Sequence, residues 1–358
     1  MMKRDAKGKS KDKGKKTLMA IAIIFITISI PVISVYVHRY LKTNTNNSSL
    51  TPQMDSTIPT DIESDIQSES DSSSSTGTNQ PTEPSISSEI NLNELEIRSI
   101  YSLKLYLEYL LETNEGRYGL SLYNLDTEEY IGINDMEPYV AASSTKVPMV
   151  MYVYDAVEQG YLSFEDIVEY LESDYEAGTG IIIKGKFGDK YTIGQLVEYA
   201  IIYSDNCAIN MLIRTCNEWN MVNYMNNLGA KIDYIQKRWK TCPYDLMLYY
   251  KELFSLIERN PEHYQKLMDD LCMNTVAYQM SSKSILPDEL KVAMKVGINT
   301  TLPTFNETTA VFADQIYILS YCSTDIDIDE SSATLKKISQ TIFEYIENGY
   351  VLVELNWK

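Results

Sequence analysis

An uncharged run of 21 residues near the start of the chain restricts how this 358-residue sequence can fold. The run, residues 17–37, is mostly Ile, Val, Ala and Thr, and residues 1–16 before it contain eight Lys or Arg. A helix of that length, rising ~1.5 Å per residue, crosses the ~30 Å hydrocarbon core of a bilayer, and flanking basic residues stay in the cytoplasm. We therefore predict a basic cytoplasmic tail at 1–16 and a transmembrane signal anchor at 17–37. A cleaved signal peptide is the alternative, but no small-x-small cleavage site follows the run.

The segment after the predicted anchor has the composition of a tether. Residues 43–91 are rich in Ser, Thr, Asn and Pro, with eight Asp or Glu and no Lys or Arg. Such a segment cannot bury enough apolar surface to offset its ordering entropy. We predict that residues 38–91 are a disordered tether and that residues 92–358 form an extracytoplasmic domain. The lipid bilayer is then a partner through residues 17–37.

Charge and rare residues exclude several classes of function. Residues 1–42 carry a net charge of +8 and the whole chain −19, so the residues from 43 onward carry −27. A strongly acidic domain repels phosphates, which argues against nucleic acid as a partner. The five cysteines form no C-x-x-C pair or Cys/His cluster, and we predict no metal and no cofactor. A Ser-His-Asp triad would depend on His263, which lies in a polar helical stretch far from any motif, so we do not expect one.

The periodicity of apolar residues predicts a domain of mixed secondary structure. Helical spacing covers 92–112, 145–158, 192–200, 218–228, 243–258 and 333–348, and strand alternation covers 117–125, 130–133, 290–296, 310–312 and 315–323. This order of elements predicts an α+β fold in which an antiparallel sheet carries helices on its faces.

A candidate nucleophile lies at the start of the second predicted helix. Ser143 there is close to unpaired backbone N–H groups and the positive end of the helix dipole. Lys146, three residues later, is on the same face and within reach of the serine hydroxyl. The pair makes an activated nucleophile if the lysine loses its proton in a dry cleft. The alternative is a helix-capping serine followed by a surface lysine.

Two further polar motifs interrupt apolar surroundings. Ser204, Asp205 and Asn206 are either a cap for the helix that follows or the second wall of a cleft. In the cleft, Ser204 would relay a proton and the Asn206 amide would hold a substrate carbonyl. The third motif, residues 295–297 (Lys-Val-Gly), ends the strand predicted at 290–296.

The three motifs occur in this order, about 60 and 90 residues apart. They resemble the S-x-x-K, S-D-N and K-T-G signature of class A β-lactamases and penicillin-binding proteins. The likeness spans most of residues 115–325, including residues 178–181 (Gly-Thr-Gly-Ile) and 241–243 (Thr-Cys-Pro). It implies a sheet of about five strands beside an all-helical subdomain, and acyl transfer through a serine ester.

The resemblance also implies roles for the motif residues. Ser143 would attack an amide carbonyl with Lys146 as base, and Ser204 and Lys295 would move a proton to the departing nitrogen. Backbone N–H groups of Ser143 and Ile298 would form the oxyanion hole. Lys295, which shares the third motif with Gly297, would attract a substrate carboxylate. Asp205 would support the site structurally.

One departure from the signature is Val296, where the family usually has a hydroxyl residue. A hydrogen bond to the substrate carboxylate is then missing, which costs about 1.5–3 kcal/mol when an ionised group accepts it. Asn299 or Thr300 is the candidate replacement.

A second departure concerns the water-activating glutamate of the class A Ω-loop. That glutamate belongs just before the Thr-Cys-Pro segment, yet no glutamate lies between Glu218 and Glu252. Asp233 is a weak stand-in. Without this base, acylation proceeds while hydrolysis of the acyl-enzyme slows.

These residues leave three functions open. The first is slow β-lactam hydrolysis, and the second is a peptidase or transpeptidase acting on D-Ala-D-Ala ends of cell-wall stem peptides. The third is a sensor that binds or acylates without turnover. A structural wall protein on an inactive scaffold is a weaker alternative, and the sequence does not predict the oligomeric state.

Overall fold

The computed structural model describes residues 94–236 and 239–355. Within these ranges, no helix is both long and apolar enough to cross a membrane. The cytoplasmic tail, signal anchor and tether predicted at 1–16, 17–37 and 38–91 lie outside the described residues.

The described residues form strands and α-helices in an order close to the predicted one. The strands are β1 Glu94–Ile97, β2 Arg117–Asn124, β3 Tyr130–Ile133, β4 Tyr139–Val140, β5 Ile167–Glu169, β6 Lys190–Thr192, β7 Lys240–Thr241, β8 Val292–Asn299, β9 Thr304–Phe312, β10 Ile316–Thr324 and β11 Val351–Glu354. The α-helices are α1 Ile100–Glu112, α2 Lys146–Glu158, α3 Ile193–Ile202, α4 Asn206–Cys216, α5 Glu218–Asn227, α6 Pro243–Arg259, α7 Pro261–Met273 and α8 Ile328–Asn348.

Five strands form the main sheet, in the order β3-β2-β10-β9-β8, and every neighbouring pair is antiparallel. The predicted fold class is therefore confirmed in its sheet and its flanking helices. The strand β8, which carries the third motif, is at one edge of this sheet.

The two faces of the sheet pack against different helices. Because side chains alternate along a strand, Ile318 and Cys322 of β10 face one cluster and Tyr317 and Leu319 face the other. The first cluster joins the sheet to helices α2–α7, and the second joins it to α1 and α8. The first two motifs lie where α2 and α4 begin, on the side of the first cluster.

The helix predicted over 92–112 is wrong at its beginning. Residues 94–97 form β1, which pairs antiparallel with β11, Glu94 opposite Glu354. The helix α1 begins only after Ser99, whose hydroxyl accepts a hydrogen bond from the N–H of Ser102 while the Ser102 hydroxyl accepts one from the N–H of Ser99. This capping box fixes the start of α1.

Two of the predicted strands and the last helix have different limits. The strand predicted at 310–312 begins at Thr304, because its first half contains polar residues that are nevertheless buried. The strand β8 runs on to Asn299 instead of ending at Val296. The helix α8 begins at Ile328, where the Asp327 carboxylate accepts hydrogen bonds from the first backbone N–H groups.

Candidate active site

Ser143 lies in a short 3-10 helix, Ala142–Thr145, that leads directly into α2. The N–H of Lys146, the first residue of α2, donates to the carbonyl oxygen of Ser143. Ser143 is half-buried, whereas Lys146 is buried. The two residues are therefore one helical turn apart, as the S-x-x-K spacing predicts.

The segment before Ser143 is fixed by a strand pairing, a backbone hydrogen bond and a side-chain amide. The strand β4 pairs with β7, and the N–H of Ala141 donates to the Trp239 carbonyl over 2.8 Å. The amide Nδ2 of Asn306 donates to the carbonyl oxygens of Val140 at 2.7 Å and Ala141 at 3.2 Å. Asn306 is fully buried on β9 and was not among the site residues predicted from the sequence. An asparagine in a stretch of mostly β-branched and aromatic residues, 304–312, was the available signal, because Asn is depleted in strands.

The edge strand β8 lies against the 3-10 helix at Gly297. A Cβ at this position would be 2.9 Å from the Ser144 nitrogen and 3.1 Å from the Ser143 nitrogen. Only glycine therefore allows this approach without displacing the nucleophile segment. Ile298, the next residue, is half-buried, and its N–H is the second donor of the predicted oxyanion hole.

One hydroxyl lies between two lysine amines in the site. The Oγ atom of Ser204 is 2.7 Å from the Nζ atom of Lys295 and 3.4 Å from that of Lys146. All three side chains are buried. A hydroxyl in contact with two amines can pass a proton from one to the other.

Burial changes the proton affinity of both lysines. It lowers the pKa of Lys146 to about 8, against smaller opposing effects of nearby carboxylates. Burial also lowers the pKa of Lys295 well below its ordinary value, and the positive charge of Lys146 adds to this effect. A desolvated amine disfavours its charged form, and so does a second amine nearby. The pair can therefore supply a neutral amine near neutral pH.

Ser204 is held in a backbone conformation that is uncommon for residues other than glycine, with φ of +52°. Its carbonyl oxygen accepts two hydrogen bonds, from the Nζ of Lys146 at 2.5 Å and from the Oγ1 of Thr179 at 2.7 Å. These two donors offset the strain of the Ser204 backbone.

Asn206 and Asp205 have different partners. The Oδ1 atom of Asn206 accepts from the Nζ of Lys146 at 2.7 Å, and its Nδ2 donates to the Ala177 carbonyl at 3.1 Å. Asp205 is fully buried and caps α4 by accepting from the N–H of Ala208. The triplet is thus a helix cap through Asp205 and a wall beside the lysine through Ser204 and Asn206.

The sequence model of the β-lactamase enzyme family matches residues 102–346, more than half of the chain. The chain belongs to the β-lactamase enzyme family. The predicted family is therefore confirmed, and its members are serine hydrolases that act on amide bonds. β-Lactamase VEB-1 from Pseudomonas aeruginosa is 26% identical over 150 residues, which are 39% of this chain and 50% of that protein. The chain thus spans about half the length of this curated relative.

Solved structures share the fold of this β-lactamase-family chain. The structure of PBP-A has a TM-score of 0.64 and 18% identity, and the match covers 69% of this chain and 97% of that one. An ancestral class A β-lactamase has a TM-score of 0.60 and 20% identity, covering 68% of this chain and 99% of that one. An acyl-enzyme complex of a PBP-A mutant with penicillin G has a TM-score of 0.63 and 18% identity, covering 69% and 97%.

The third β-lactamase-family motif departs from the signature in a buried position. Val296 is 3% exposed and packs in the cluster on the α1 and α8 side of the sheet. Asn299, one of the two candidate replacements, uses its Oδ1 atom to accept from the N–H groups of Thr301 and Leu302, both at 2.9 Å. Its side-chain oxygen therefore closes the turn between β8 and β9.

The connection between α5 and β7 contains no glutamate, and its one acid, Asp233, is used structurally. Asp233 lies in an exposed turn, where its carboxylate accepts from the N–H of Ile235. The buried carboxylate of Asp245 at the start of α6 accepts from the N–H groups of Lys231 and Ile232. Among the described residues, no group of three or more His, Cys, Asp or Glu is placed to hold a metal ion.

Proposed function

We propose that this chain is a membrane-tethered, extracytoplasmic acyl hydrolase that forms an ester on Ser143 with a β-lactam and releases it slowly. The observation that carries the proposal is the Ser204 hydroxyl in contact with the Nζ atoms of Lys146 and Lys295, next to the Ser143 turn. The tether and location rest on the composition of residues 1–91.

Acylation begins when the neutral amine of Lys146 takes the Ser143 hydroxyl proton. The Ser143 oxygen then bonds to the carbonyl carbon, and the resulting oxyanion accepts hydrogen bonds from the N–H groups of Ser143 and Ile298. Donors fixed in this way are usually among the largest catalytic contributions. Lys295 and Asn206 position the substrate, Lys295 through a carboxylate of the β-lactam.

Collapse of the tetrahedral intermediate breaks the carbon–nitrogen bond of the amide. The departing nitrogen takes the Ser204 hydroxyl proton, and Ser204 recovers one from Lys146, whose Nζ is 3.4 Å from its oxygen. The proton removed from Ser143 thus ends on the leaving nitrogen, and the lysine returns to its neutral form.

Deacylation needs a base for the attacking water, and the α5–β7 connection supplies no glutamate. The acyl-enzyme is then long-lived. Lys146 is the remaining group that can deprotonate water, because its pKa is near 8.

Cell-wall peptides are the second candidate substrate, and the missing glutamate favours them. A transpeptidase or D-Ala-D-Ala peptidase hands its acyl group to an amine or a water without an Ω-loop base. The fold shared with PBP-A is compatible with this candidate. A sensor that is acylated once and not turned over is the limiting case of the same slow deacylation.

Intact-mass spectrometry of the purified full-length chain mixed with benzylpenicillin tests the proposal. We expect an adduct on Ser143 that lasts from minutes to hours, and no adduct on Ser143→Ala. A transient adduct with accumulating hydrolysed drug means efficient turnover and contradicts slow release. If no adduct forms, the β-lactam proposal fails, and release of D-alanine from a stem pentapeptide decides the peptidase alternative.

A further inference from the structure

We propose that Thr179 is a positioning residue that shares the Ser204 carbonyl with Lys146 and so sets how readily the lysine gives up its proton. The inference rests on the proposed function, in which Lys146 is the base of acylation. Thr179 itself contacts neither the Ser143 hydroxyl nor the lysine amines in any hydrogen bond between described residues.

Thr179 belongs to a segment that is fastened along α4, which we call the strap, residues 174–182. At one end of the strap, the Asp174 carboxylate pairs with the Arg214 guanidinium through bonds of 2.8 and 2.9 Å. At the other end, the N–H groups of Ile181 and Ile182 donate to the Asp205 carboxylate. Thr179 lies between these anchors, and its carbonyl accepts from the N–H of Asn206 at 3.1 Å.

The positions on both sides of Thr179, residues 178 and 180, require glycine. Gly178 and Gly180 each have φ of +127°, a conformation that residues with a Cβ rarely adopt. A Cβ on Gly180 would be 2.3 Å from the Asp205 Cγ, and one on Gly178 would be 2.9 Å from the Asn206 Nδ2. The backbone therefore passes as close to the second motif as it can, and this closeness brings the Thr179 hydroxyl to the Ser204 carbonyl.

The Ser204 carbonyl oxygen thus accepts hydrogen bonds from two donors, so each bond is weaker than it would be alone. One is a neutral hydroxyl, at 2.7 Å, and the other is the lysine nitrogen, at 2.5 Å. A hydrogen bond to the charged form of a group favours that form. Removing the hydroxyl leaves the carbonyl free to bind the ammonium more strongly, so the protonated form of Lys146 gains stability.

Other titratable groups also face the Lys146 amine. Lys295 approaches from β8, Asp205 and Cys207 from the start of α4, and Glu176 from the strap. The carboxylates of Asp205 and Glu176 favour the ammonium, and the charge of Lys146 in turn lowers the pKa of Lys295. A Thr179→Val substitution changes none of these charges, so its effect on proton release isolates the shared carbonyl.

The test measures the rate of acylation by a fluorescent penicillin as a function of pH, using the full-length chain and its Thr179→Val and Thr179→Ser variants. For Thr179→Val we expect the rising limb of the profile to move to higher pH by about half a unit to one unit. The rate at pH 7 then falls roughly three- to tenfold, because one pKa unit is a factor of ten in the neutral fraction. At high pH the rates converge, and Thr179→Ser, which keeps the hydroxyl, follows the wild type.

A matched control is Thr113→Val, since the exposed Thr113 hydroxyl also donates to a backbone carbonyl, that of Leu110 at 2.9 Å. This variant should keep the wild-type profile. A Thr179→Val profile lowered by one factor at every pH, with an unmoved limb, overturns the inference and leaves Thr179 a structural residue.

Failure of the proposed function is separable from failure of this inference. If the wild type is not acylated, titration of the Lys146 amine by NMR on ¹⁵N-lysine-labelled protein still reads its proton affinity directly. Lys146→Met identifies the resonance. A higher pKa of Lys146 in Thr179→Val supports the inference, and an unchanged one refutes it.

Discussion

The amide Nδ2 of Asn306 is 3.2 Å from the carbonyl oxygen of Ala141, and it also contacts Val140 at 2.7 Å. Asn306 is opposite Gly297 in the β8–β9 register. One buried side chain therefore ties the sheet to the segment that precedes Ser143, at the place where Gly297 approaches that segment from the other strand.

Asn306→Ala is expected to weaken both the fold and the site. It leaves two buried carbonyl oxygens without their side-chain donor, which costs about 1–3 kcal/mol in the free energy of unfolding. Acylation should also slow, because the nucleophile segment loses its anchor. Urea unfolding and the rate of penicillin labelling measure the two effects. Asn114→Ala, which removes a bond to the Leu110 carbonyl on the other side of the sheet, should leave the labelling rate unchanged.

Ser204→Ala removes the only hydroxyl that contacts both lysine amines among the described residues. We expect acylation to slow by about 10²–10⁴-fold, the usual contribution of a positioned proton donor. Stopped-flow or mass-spectrometric labelling measures the rate. Ser332→Ala on α8, whose hydroxyl donates to the Met280 carbonyl, is the control. Equal rates for the two variants would exclude Ser204 as the proton relay.

The acylation rate of the wild type should rise with pH, reach half its maximum near pH 8 and level off about one unit higher. Burial lowers the pKa of Lys146 to about 8, and the neutral amine is the base. At pH 7, roughly a tenth of the enzyme then has the active form. Labelling rates between pH 5.5 and 9.5 test this, and a rate independent of pH would mean that Lys146 is not the base.

Gly180→Ala and Gly188→Ala separate backbone strain from a steric clash. Both glycines have positive φ, +127° and +96°, but only the Cβ at residue 180 meets other atoms, those of the Asp205 carboxylate. Gly180→Ala should therefore lower the free energy of unfolding by about 1–3 kcal/mol more than Gly188→Ala. It should also slow acylation, because Asp205 is between Ser204 and Asn206. Equal losses of stability in denaturant unfolding would show that the strap moves aside freely.

Glu307 gives the domain a stability that depends on pH. Burial raises the pKa of this carboxyl to about 7, against smaller opposing effects of hydrogen bonds from Ser282. The folded state then favours the protonated form, so this contribution is complete below about pH 4.3, the unfolded value, and is lost as the pH rises through 7. The loss is of the order of 2–4 kcal/mol.

Glu307→Gln should remove this dependence. In urea titrations, the free energy of unfolding of the variant minus that of the wild type should be larger at pH 8 than at pH 5. Glu354→Gln, at an exposed position of β11, should follow the wild type at both pH values. A constant difference between Glu307→Gln and wild type would show that the carboxyl is ionised in the folded state throughout this range.

Local patterns predicted the elements whose apolar residues decide their structure. The strand Tyr130–Ile133 and the start of α6 at Pro243 follow from alternation and from proline at a first turn. The strand β1 could not be found in this way, because its partner β11 is more than 250 residues away and residues 94–97 also fit a helical spacing. Propensity is a weak guide where a distant partner decides the structure.

Site residues that belong to a motif could be predicted from the sequence, whereas site residues that are brought in by packing could not. The three-residue spacing of Ser143 and Lys146 by itself predicts that they are one helical turn apart. Asn306 and Thr179, by contrast, act on backbone carbonyls of other segments, and a hydrogen bond to a carbonyl leaves no mark on the sequence of its acceptor. The effect of such residues on the site becomes visible only when the strands and loops are placed in space.

The pairing of β1 with β11 brings the first and the last strand of the described residues together, with Glu94 opposite Glu354. Both ends of the domain consequently leave the surface side by side, and Ile97, Val351 and Val353 bury against the sheet face opposite the nucleophile helix. A force applied to the chain before residue 94 acts first on the paired strands β1 and β11.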